Sequence, residues 1–400
     1  MFSKISFSNF YSFYEETEVS FEVGKKPSHS YYDIDLPAGT RINKVIAISG
    51  ANGSGKTQLL RPFAFLSWFI TKSFVQASDE DQTIAFNPHK LHQDEESTFA
   101  LEFYIGEEKY RYKLVATKEK VIHESLFRKT SHLYSYIFTR DIEDALGDSF
   151  SYKYKTKGFD FAPKQESKVK HNVSFLCAAD AFGSVVARKI VKYFNNVSFN
   201  INSSGRDNFH ESDLFDSAEF YSKNKKLSKK AVDLICQLDL GLSSVKVKKV
   251  KGHNEKGNEE TLFMPVGVHG SNEESFELPF FEESSGTKAI YVLLRQILPV
   301  LESGGLAVLD EIDNDLHLHM LIKVIEMFKF KHTNPYNAQL IFTCHSNEIL
   351  NTLKKHQLYL VEKIDNKSES WRLDEVVGLR ADDNIYGKYQ AGALGGIPNF

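Results

Sequence analysis

The chain has only three cysteines in 400 residues: Cys177, Cys236 and Cys344, far apart, in apolar stretches and forming no CxxC pair. That excludes a disulfide scaffold and a thiolate metal knuckle, and buried reduced thiols in a cytoplasmic protein are expected. No run of 18 apolar residues occurs. Met1-Phe2-Ser3-Lys4-Ile5-Ser6-Phe7 alternates polar and apolar positions, where a secretion signal would start charged and continue apolar. A chain that neither spans a membrane nor is secreted is expected. An excess of one charge is also missing, since 49 Lys+Arg against 53 Asp+Glu leave a formal -4. This excludes the cationic body of a dedicated nucleic-acid coat and leaves room for a local basic face. Repeats, low-complexity tracts and heptad runs of three or four repeats are absent, so no solenoid or coiled coil is encoded. What the chain does have is core: 42% hydrophobic and 13% aromatic residues, enough for one large or two ordinary domains and too much for intrinsic disorder.

Hydropathy patterning divides this core. Ile5 to Phe13 and then Thr17 to Phe21 read as paired strands. Lys44 to Ile48 is a short continuous apolar strand of the kind buried on both faces of a parallel sheet. Ser97 to Ile105, Lys109 to Thr117 and Val121 to Phe127 alternate as an antiparallel set. Helical spacing appears over Phe175–Asn196 and Leu227–Leu238, while 200–224 is polar and reads as a loop. Val245 to Lys251 alternates apolar and basic residues and returns through Glu260 to Met264, a hairpin with one basic, solvated face.

The apolar strand at Lys44–Ile48 runs into Ser49 and then Gly50-Ala51-Asn52-Gly53-Ser54-Gly55-Lys56-Thr57-Gln58, and a helical pattern follows. Strand, glycine loop and helix in this order form a phosphate cradle. Backbone N–H groups and a helix N-terminus surround the β-phosphate, and glycine lets the backbone approach where side chains would hold it away. Lys56 neutralises the β/γ oxygens, and Thr57 offers a hydroxyl to Mg²⁺, which takes oxygen ligands. A second buried strand, Leu306-Ala307-Val308-Leu309, ends in Asp310-Glu311. Beside a P-loop, such an aspartate holds Mg²⁺, and Glu311, on the other side of the pleat, would polarise the attacking water.

Glu283-Ser284-Ser285-Gly286-Thr287-Lys288 opens a helical run about twenty residues before the acidic strand. It offers a serine hydroxyl and free N–H groups at a helix start, a second anion site. It looks like the signature motif of ABC-type ATPases, which implies γ-phosphate contacts from Ser284, Ser285 and Gly286. Gln339 to Cys344 is a third buried strand, and His345 at its end corresponds to the switch histidine of those enzymes. Ile312-Asp313-Asn314-Asp315-Leu316-His317-Leu318-His319 corresponds to their D-loop, which crosses a dimer interface. That role accounts for His317, and a His317/His319 metal pair is disfavoured. The signature departs from the transporter pattern in beginning with Glu283 for the usual Leu and in having Ser285 for Gly, which argues against a transporter subunit. The Q-loop glutamine is not assigned among Gln82, Gln93 and Gln165.

From Asn9-Phe10-Tyr11-Ser12-Phe13 to Gly378–Asn384, the chain resembles the compact bacterial AAA-type ATPases related to the RecF, SMC and OLD heads: the Rlo-like and abortive-infection ATPases. The resemblance implies an α/β fold, an ABC-type ATPase head with a RecA-like parallel sheet core, an antiparallel β subdomain and an inserted helical lobe. The expected division is an N-terminal ATPase lobe over 1–170, a helical lobe with the basic hairpin over 171–275, and a C-terminal ATPase lobe over 276–400. The implied function is an ATP-hydrolysing switch of anti-phage defence that dimerises around ATP and Mg²⁺. It would control a separately encoded effector nuclease or toxin and respond to DNA or a phage protein. With no heptad arm and no CxxC hook between Thr57 and Ser284, an SMC-type tether is excluded. The residues after His345 are too few for the nuclease fused to OLD ATPases, so the effector is expected on another chain from a neighbouring gene. No Asn-Lys-x-Asp base-reading motif for GTP occurs. The alternative is a DNA-repair ATPase clamping duplex DNA through Lys223, Lys225, Lys226, Lys229 and Lys230 with Lys246, Lys248, Lys249 and Lys251. Acidic runs at Asp79-Glu80-Asp81 and Glu282-Glu283 offset that cluster.

Overall fold

The computed structural model describes residues 1–37, 39–77, 83–146, 149–161, 168–202, 205–238, 241–253, 259–270, 274–380 and 382–397. Strand β1 (Phe2–Ser8) pairs antiparallel with β2 (Thr17–Ser20). Short strands β3 (Glu22–Val23), β4 (Asp33–Asp35) and β5 (Arg41–Asn43) make a small sheet of their own. β6 (Val45–Gly50) enters the core and leads to α1 (Lys56–Gln76). The meander β7 (Ser97–Ile105), β8 (Glu108–Ala116), β9 (Val121–Lys129), β10 (Tyr134–Leu146) and β11 (Ser149–Thr156) joins β1 and β2 in a seven-stranded antiparallel sheet. Helices α2 (Phe175–Ala181) and α3 (Val185–Phe194), strand β12 (Val197–Phe199), and helices α4 (Ser212–Lys223) and α5 (Lys225–Gln237) follow. β13 (Leu242–His253), β14 (Glu259–His269) and β15 (Phe276–Pro279) form a third sheet. The chain then runs through α6 (Ser285–Ser303), β16 (Leu306–Leu309), α7 (Leu318–Glu326), β17 (Gln339–Thr343), β18 (Leu358–Ile364), β19 (Lys367–Arg372) and α8 (Ile385–Gln390).

The core sheet has the order β12-β16-β17-β6-β18-β19, parallel except for β19. The central strands β6, β16 and β17 are mostly apolar because each face meets a different core. Ile46, Ile48, Val308 and Ile341 face a cluster shared with α1 and the antiparallel sheet, while Ala47, Leu309, Leu340 and Phe342 face one shared with α6 and α7. Gln339 couples the two sheets: its amide accepts from Phe2 N at 2.6 Å and donates to the carbonyls of Phe2 and Asn43. The P-loop, the acidic strand and the histidine strand thus lie on three neighbouring parallel strands, β6, β16 and β17, with their C-terminal ends together. Ligands of open α/β sheets gather at such ends.

Four expectations needed revision. β1 stops at Ser8, not Phe13, because Asn9 and Tyr11 take left-handed φ values of 49° and 51°. The Asn9 amide bonds the carbonyls of His92 and Glu95 and accepts from His89 N, turning the chain and pinning 89–96. The polar stretch 200–224 contains α4, whose Leu214, Ala218 and Tyr221 form a buried face beneath otherwise polar residues. The hairpin lysines do not share one face: the register pairs Lys246 with Val266 and Lys248 with Met264, but Lys249 with Phe263 and Lys251 with Thr261. The alternation breaks at Lys248-Lys249, so the second pair points to the opposite side. Among the three thiols, Cys177 and Cys344 are buried and Cys236 only half-buried. In the middle of the chain, α2 and α3 pack against α1, whereas α4 and α5 pack against α6.

Candidate nucleotide site

The loop between β6 and α1 is walled by backbone. Gly50 has φ +156°, and a Cβ there would run into the carbonyl of Val361 on β18. Gly55 has φ +113°, and a Cβ there would meet the Ser368 hydroxyl on β19. Ser368 Oγ donates to the Ser54 carbonyl at 2.6 Å and accepts from Ser12 Oγ at 2.8 Å, so the turn at 9–13 and β19 brace the loop from outside. Asn52 and Gly53 are exposed, and Ser54 Oγ is buried without a hydrogen-bond partner. Lys56 Nζ is folded onto the loop, donating to the carbonyls of Gly50 (2.8 Å) and Ala51 (3.1 Å). Burial lowers its pKa, with Asp310 and Glu311 pulling the other way. A buried ammonium that faces carbonyl dipoles gains more from an anion, so the cradle fits a phosphate. Gln58, next on the helix, is half-buried with its Oε1 unpartnered.

Thr57 Oγ1 donates to Asp310 Oδ2 at 2.7 Å, bringing two hard oxygen donors to one point, the donor set Mg²⁺ takes. Asp310 is 1% exposed and held on every side. Its Oδ1 accepts from Thr343 Oγ1 at 2.6 Å, its N–H donates to Asn200 Oδ1 at 2.7 Å, and its carbonyl accepts from Asn200 Nδ2 at 2.9 Å. Thr343 also accepts from Glu311 N at 2.7 Å, so one hydroxyl orients both acidic residues. Glu311 takes φ 47°, unusual for a residue with a Cβ, and this turns its side chain away from that of Asp310. Its carboxylate meets Arg206 Nη1 at 2.5 Å and His345 Nε2 at 3.2 Å. Burial pushes its pKa up, but the His345 hydrogen bond and the Arg206 charge more than offset that and hold it below the ordinary glutamate range.

His345 is exposed at the end of β17, and Asp313 holds its turn by accepting from the backbone N–H groups of His345 and Ser346 and from Ser346 Oγ at 2.7 Å. The D-loop aspartate therefore braces the histidine turn within the same chain. His317 caps α7 by accepting from His319 N, and no group of three metal-binding side chains occurs among the described residues.

Ser284 is the N-cap of α6, its Oγ accepting from Thr287 N at 3.1 Å. Ser284 and Ser285 are exposed and Gly286 half-buried, with its Cα 's missing Cβ position 3.1 Å from the Asp315 carbonyl of the D-loop. Glu283 is buried, its carboxylate 2.7 Å from His269 Nε2 on β14 and packed over Gly267. Among the described residues, no hydrogen bond or ion pair joins 284–286 to the loop at 50–58 of the same chain.

Sequence reasoning missed Asn200 and Arg206. Both lie just past β12, whose three residues give too short a pattern to read as a core strand. Of the glutamines considered for the Q-loop, Gln82 and Gln165 lie outside the described residues, as does the acidic run 79–81, and Gln93 is exposed with its amide on the Lys90 carbonyl. The amide that reaches the acidic strand is Asn200. The basic cluster is partly neutralised within the chain. Lys226 and Lys230 pair with Glu302, Lys246 and Lys248 with Glu277, Lys223 with Glu219 and Lys251 with Glu259.

A glycine cradle, a threonine–aspartate pair and an N-capped serine turn, on a parallel sheet flanked by an antiparallel one, are the parts of an AAA-type ATPase fold. A family model described as "AAA domain, putative AbiEii toxin, Type IV TA system" matches residues 45–351, and the chain belongs to that family. No curated protein matches it. Among solved structures it is similar to an Smc head bound to the C-terminal winged-helix domain of ScpA, with 13% identity, a TM-score of 0.47, and 94% of this chain and 99% of that one covered. It is also similar to an Smc head domain with coiled coil and joint from Pyrococcus yayanosii, with 11% identity, a TM-score of 0.41, and coverage of 93% and 96%. No helix among the described residues is long and apolar enough to cross a membrane.

Proposed function

We propose that this chain is an ATP-hydrolysing switch that closes as a dimer around two ATP·Mg²⁺, each site pairing the cradle of one copy with Ser284 to Gly286 of the other. The observation that carries this reading is the separation of the two anion sites. Lys56, Thr57, Asp310, Glu311 and His345 form one cluster, while the signature serines stand exposed on the start of α6 without a bond to it. A half-site that leaves the terminal phosphate only partly neutralised makes nucleotide binding a source of association energy, and hydrolysis removes it. Lys56 would neutralise the β/γ oxygens, and Thr57 and Asp310 would hold Mg²⁺, which would supply Lewis-acid charge stabilisation there. Glu311 accepts the proton of the attacking water and His345 orients it. The family's description supports a defence setting, in which ATP-dependent closure holds or releases an effector nuclease or toxin from a neighbouring gene, in the cytoplasm. The trigger would be DNA or a phage protein.

The test is complementation. Lys56→Ala and Ser284→Arg chains should each lose hydrolysis, and their mixture should regain at most one working site per heterodimer. Full hydrolysis by either chain alone rules the shared site out. Salt-dependent binding of duplex DNA by the isolated chain, without retention of the neighbouring gene's product, would turn the reading towards a repair clamp.

A further inference from the structure

Asn200 and Arg206, just past β12, each touch one acidic residue of the site. At the near end Asn200 holds the backbone of Asp310 through two hydrogen bonds, and at the far end Arg206 reaches the Glu311 carboxylate. The described residues on the two sides of this segment are tied together: Ile201 bridges Arg206, Asn202 N donates to Gly205 O at 2.7 Å, and Asp207 N donates to Asn200 O at 2.8 Å. Arg206 is therefore set by the same frame that fixes the metal-side aspartate. Its side chain is 17% exposed, and Nε is buried with no partner. Asn314 of the D-loop, with its amide oxygen turned to the guanidinium, accepts from Nη1 at 2.8 Å and Nη2 at 3.1 Å.

The charge around Glu311 is unbalanced. Arg206 lies on Oε2 and His345 on Oε1, so both carboxylate oxygens are engaged by groups that would also attract a phosphate. A guanidinium binds phosphate with two parallel hydrogen bonds, and a terminal phosphate carries more charge than one carboxylate. An incoming triphosphate therefore competes with Glu311 for Arg206, in the space where Glu311 must meet water.

We propose that Arg206 is a cis arginine of the hydrolytic site that exchanges the Glu311 carboxylate for the terminal phosphate of ATP, thereby freeing Glu311 to take a proton from water. This rests on the ATPase reading above. The chemical step is ordinary hydrolysis: the water oxygen bonds to the γ-phosphorus, the bond from that phosphorus to the bridging oxygen breaks, ADP leaves with that oxygen, and the water's proton passes to Glu311. Arg206 neutralises the phosphoryl oxygens meanwhile, and its exchange makes the base available only when there is a phosphate to attack.

The measurement is the affinity of the full-length protein for ATP and for ADP, by displacement of a fluorescent ADP analogue, for wild type, Arg206→Gln, Glu311→Gln and the double variant. Arg206→Gln should weaken ATP binding on the order of tenfold and leave ADP within about twofold, as expected for loss of one charged hydrogen-bonding group at the third phosphate. Glu311→Gln should tighten ATP binding severalfold by removing the competitor, and that gain should vanish in the double variant. An unchanged ATP-to-ADP preference in Arg206→Gln, or a gain from Glu311→Gln that persists without Arg206, overturns the exchange. Arg206→Lys, which keeps charge but not the fork, should fall between, and the Glu311→Gln arm stands even where Arg206→Gln is poorly folded. Failure of the wild type to bind or hydrolyse ATP would instead defeat the underlying ATPase reading.

Discussion

At the scale of single residues, one hydroxyl organises the acidic end of the site. Thr343 donates to Asp310 and accepts from the backbone of Glu311, so its loss leaves a buried carboxylate oxygen and a buried N–H without partners. Thr343→Val, nearly isosteric, should cost about 1–3 kcal/mol of stability. It should also raise the Mg²⁺ concentration needed for half-maximal hydrolysis, since Asp310 loses its second anchor. A magnesium titration and a denaturant melt read the two effects separately, and an unchanged Mg²⁺ requirement would show that Thr57 and Asn200 suffice to aim Asp310. Gly50 admits a simpler expectation. At φ +156° with a backbone oxygen against the missing Cβ, Gly50→Ala cannot be relieved by moving a side chain. It should lower the melting temperature and abolish nucleotide binding together, measured by a thermal scan with and without ATP·Mg²⁺.

Between elements, one buried ion pair lies away from the phosphate cradle. Glu124 on β9 and Arg140 on β10 are both fully buried, 3.6 Å apart. Glu124 accepts from Tyr112 OH, Ser174 Oγ and the backbone of Phe175, while Arg140 donates to the carbonyls of Val173 and Lys170 and stacks on Tyr152. This pair seats the start of α2 on the antiparallel sheet, and α2 packs on α1. Removing one partner of a buried pair strands the other, so Glu124→Leu should destabilise by about 3–5 kcal/mol in a urea melt. A loss under 1 kcal/mol would mean that water reaches Arg140.

A second contact between elements depends on pH. Lys109 on β8 lies 2.8 Å from Glu22 and 2.7 Å from Glu102. Burial pushes both carboxyls up, but hydrogen bonds from Lys109, with Ser3 on Glu22 and Arg111 on Glu102, more than offset it and hold both below the ordinary range. Carboxylates that titrate lower when folded contribute fully above the unfolded value, about 4.3, and lose that contribution as pH falls through the lower folded value. The thermal midpoint should thus fall on the acid side of about pH 5. In Lys109→Met it should be lower at neutral pH and decline less steeply with acid. Equal acid slopes in the two proteins would show that this cluster adds no stability.

For the whole molecule, the decisive quantity is association. Glu311→Gln, which keeps the fold and the cradle but removes the proton acceptor, should hydrolyse ATP at least about a hundredfold more slowly. It should accumulate as an ATP-dependent dimer in sedimentation velocity, and Ser284→Arg should abolish that dimer. A monomer at saturating ATP·Mg²⁺ would refute the two-copy site. The Glu283–His269 contact also ties the signature turn to the sheet of β13 to β15.

The linear chain determined by itself the parts whose chemistry is local. A glycine loop after a buried strand, an acidic pair after another and a serine at a helix start are each read within about ten residues, because backbone conformation and capping are set by near neighbours. The two-sided core was legible for the same reason, since strands buried on both faces read as nearly continuous apolar runs. Tertiary structure alone decided which distant groups complete the site. Asn200 and Arg206 sit in a polar stretch without periodicity and acquire meaning only because β12 lies beside β16. The turn that ends β1 depended on the Asn9 side chain bonding carbonyls more than eighty residues away, the lysines of the hairpin were divided by register with two of them engaged by Glu277 on β15, and Lys226 and Lys230 on α5 were engaged by Glu302. Pairing across such separations is fixed by packing and register, which a one-dimensional pattern does not contain.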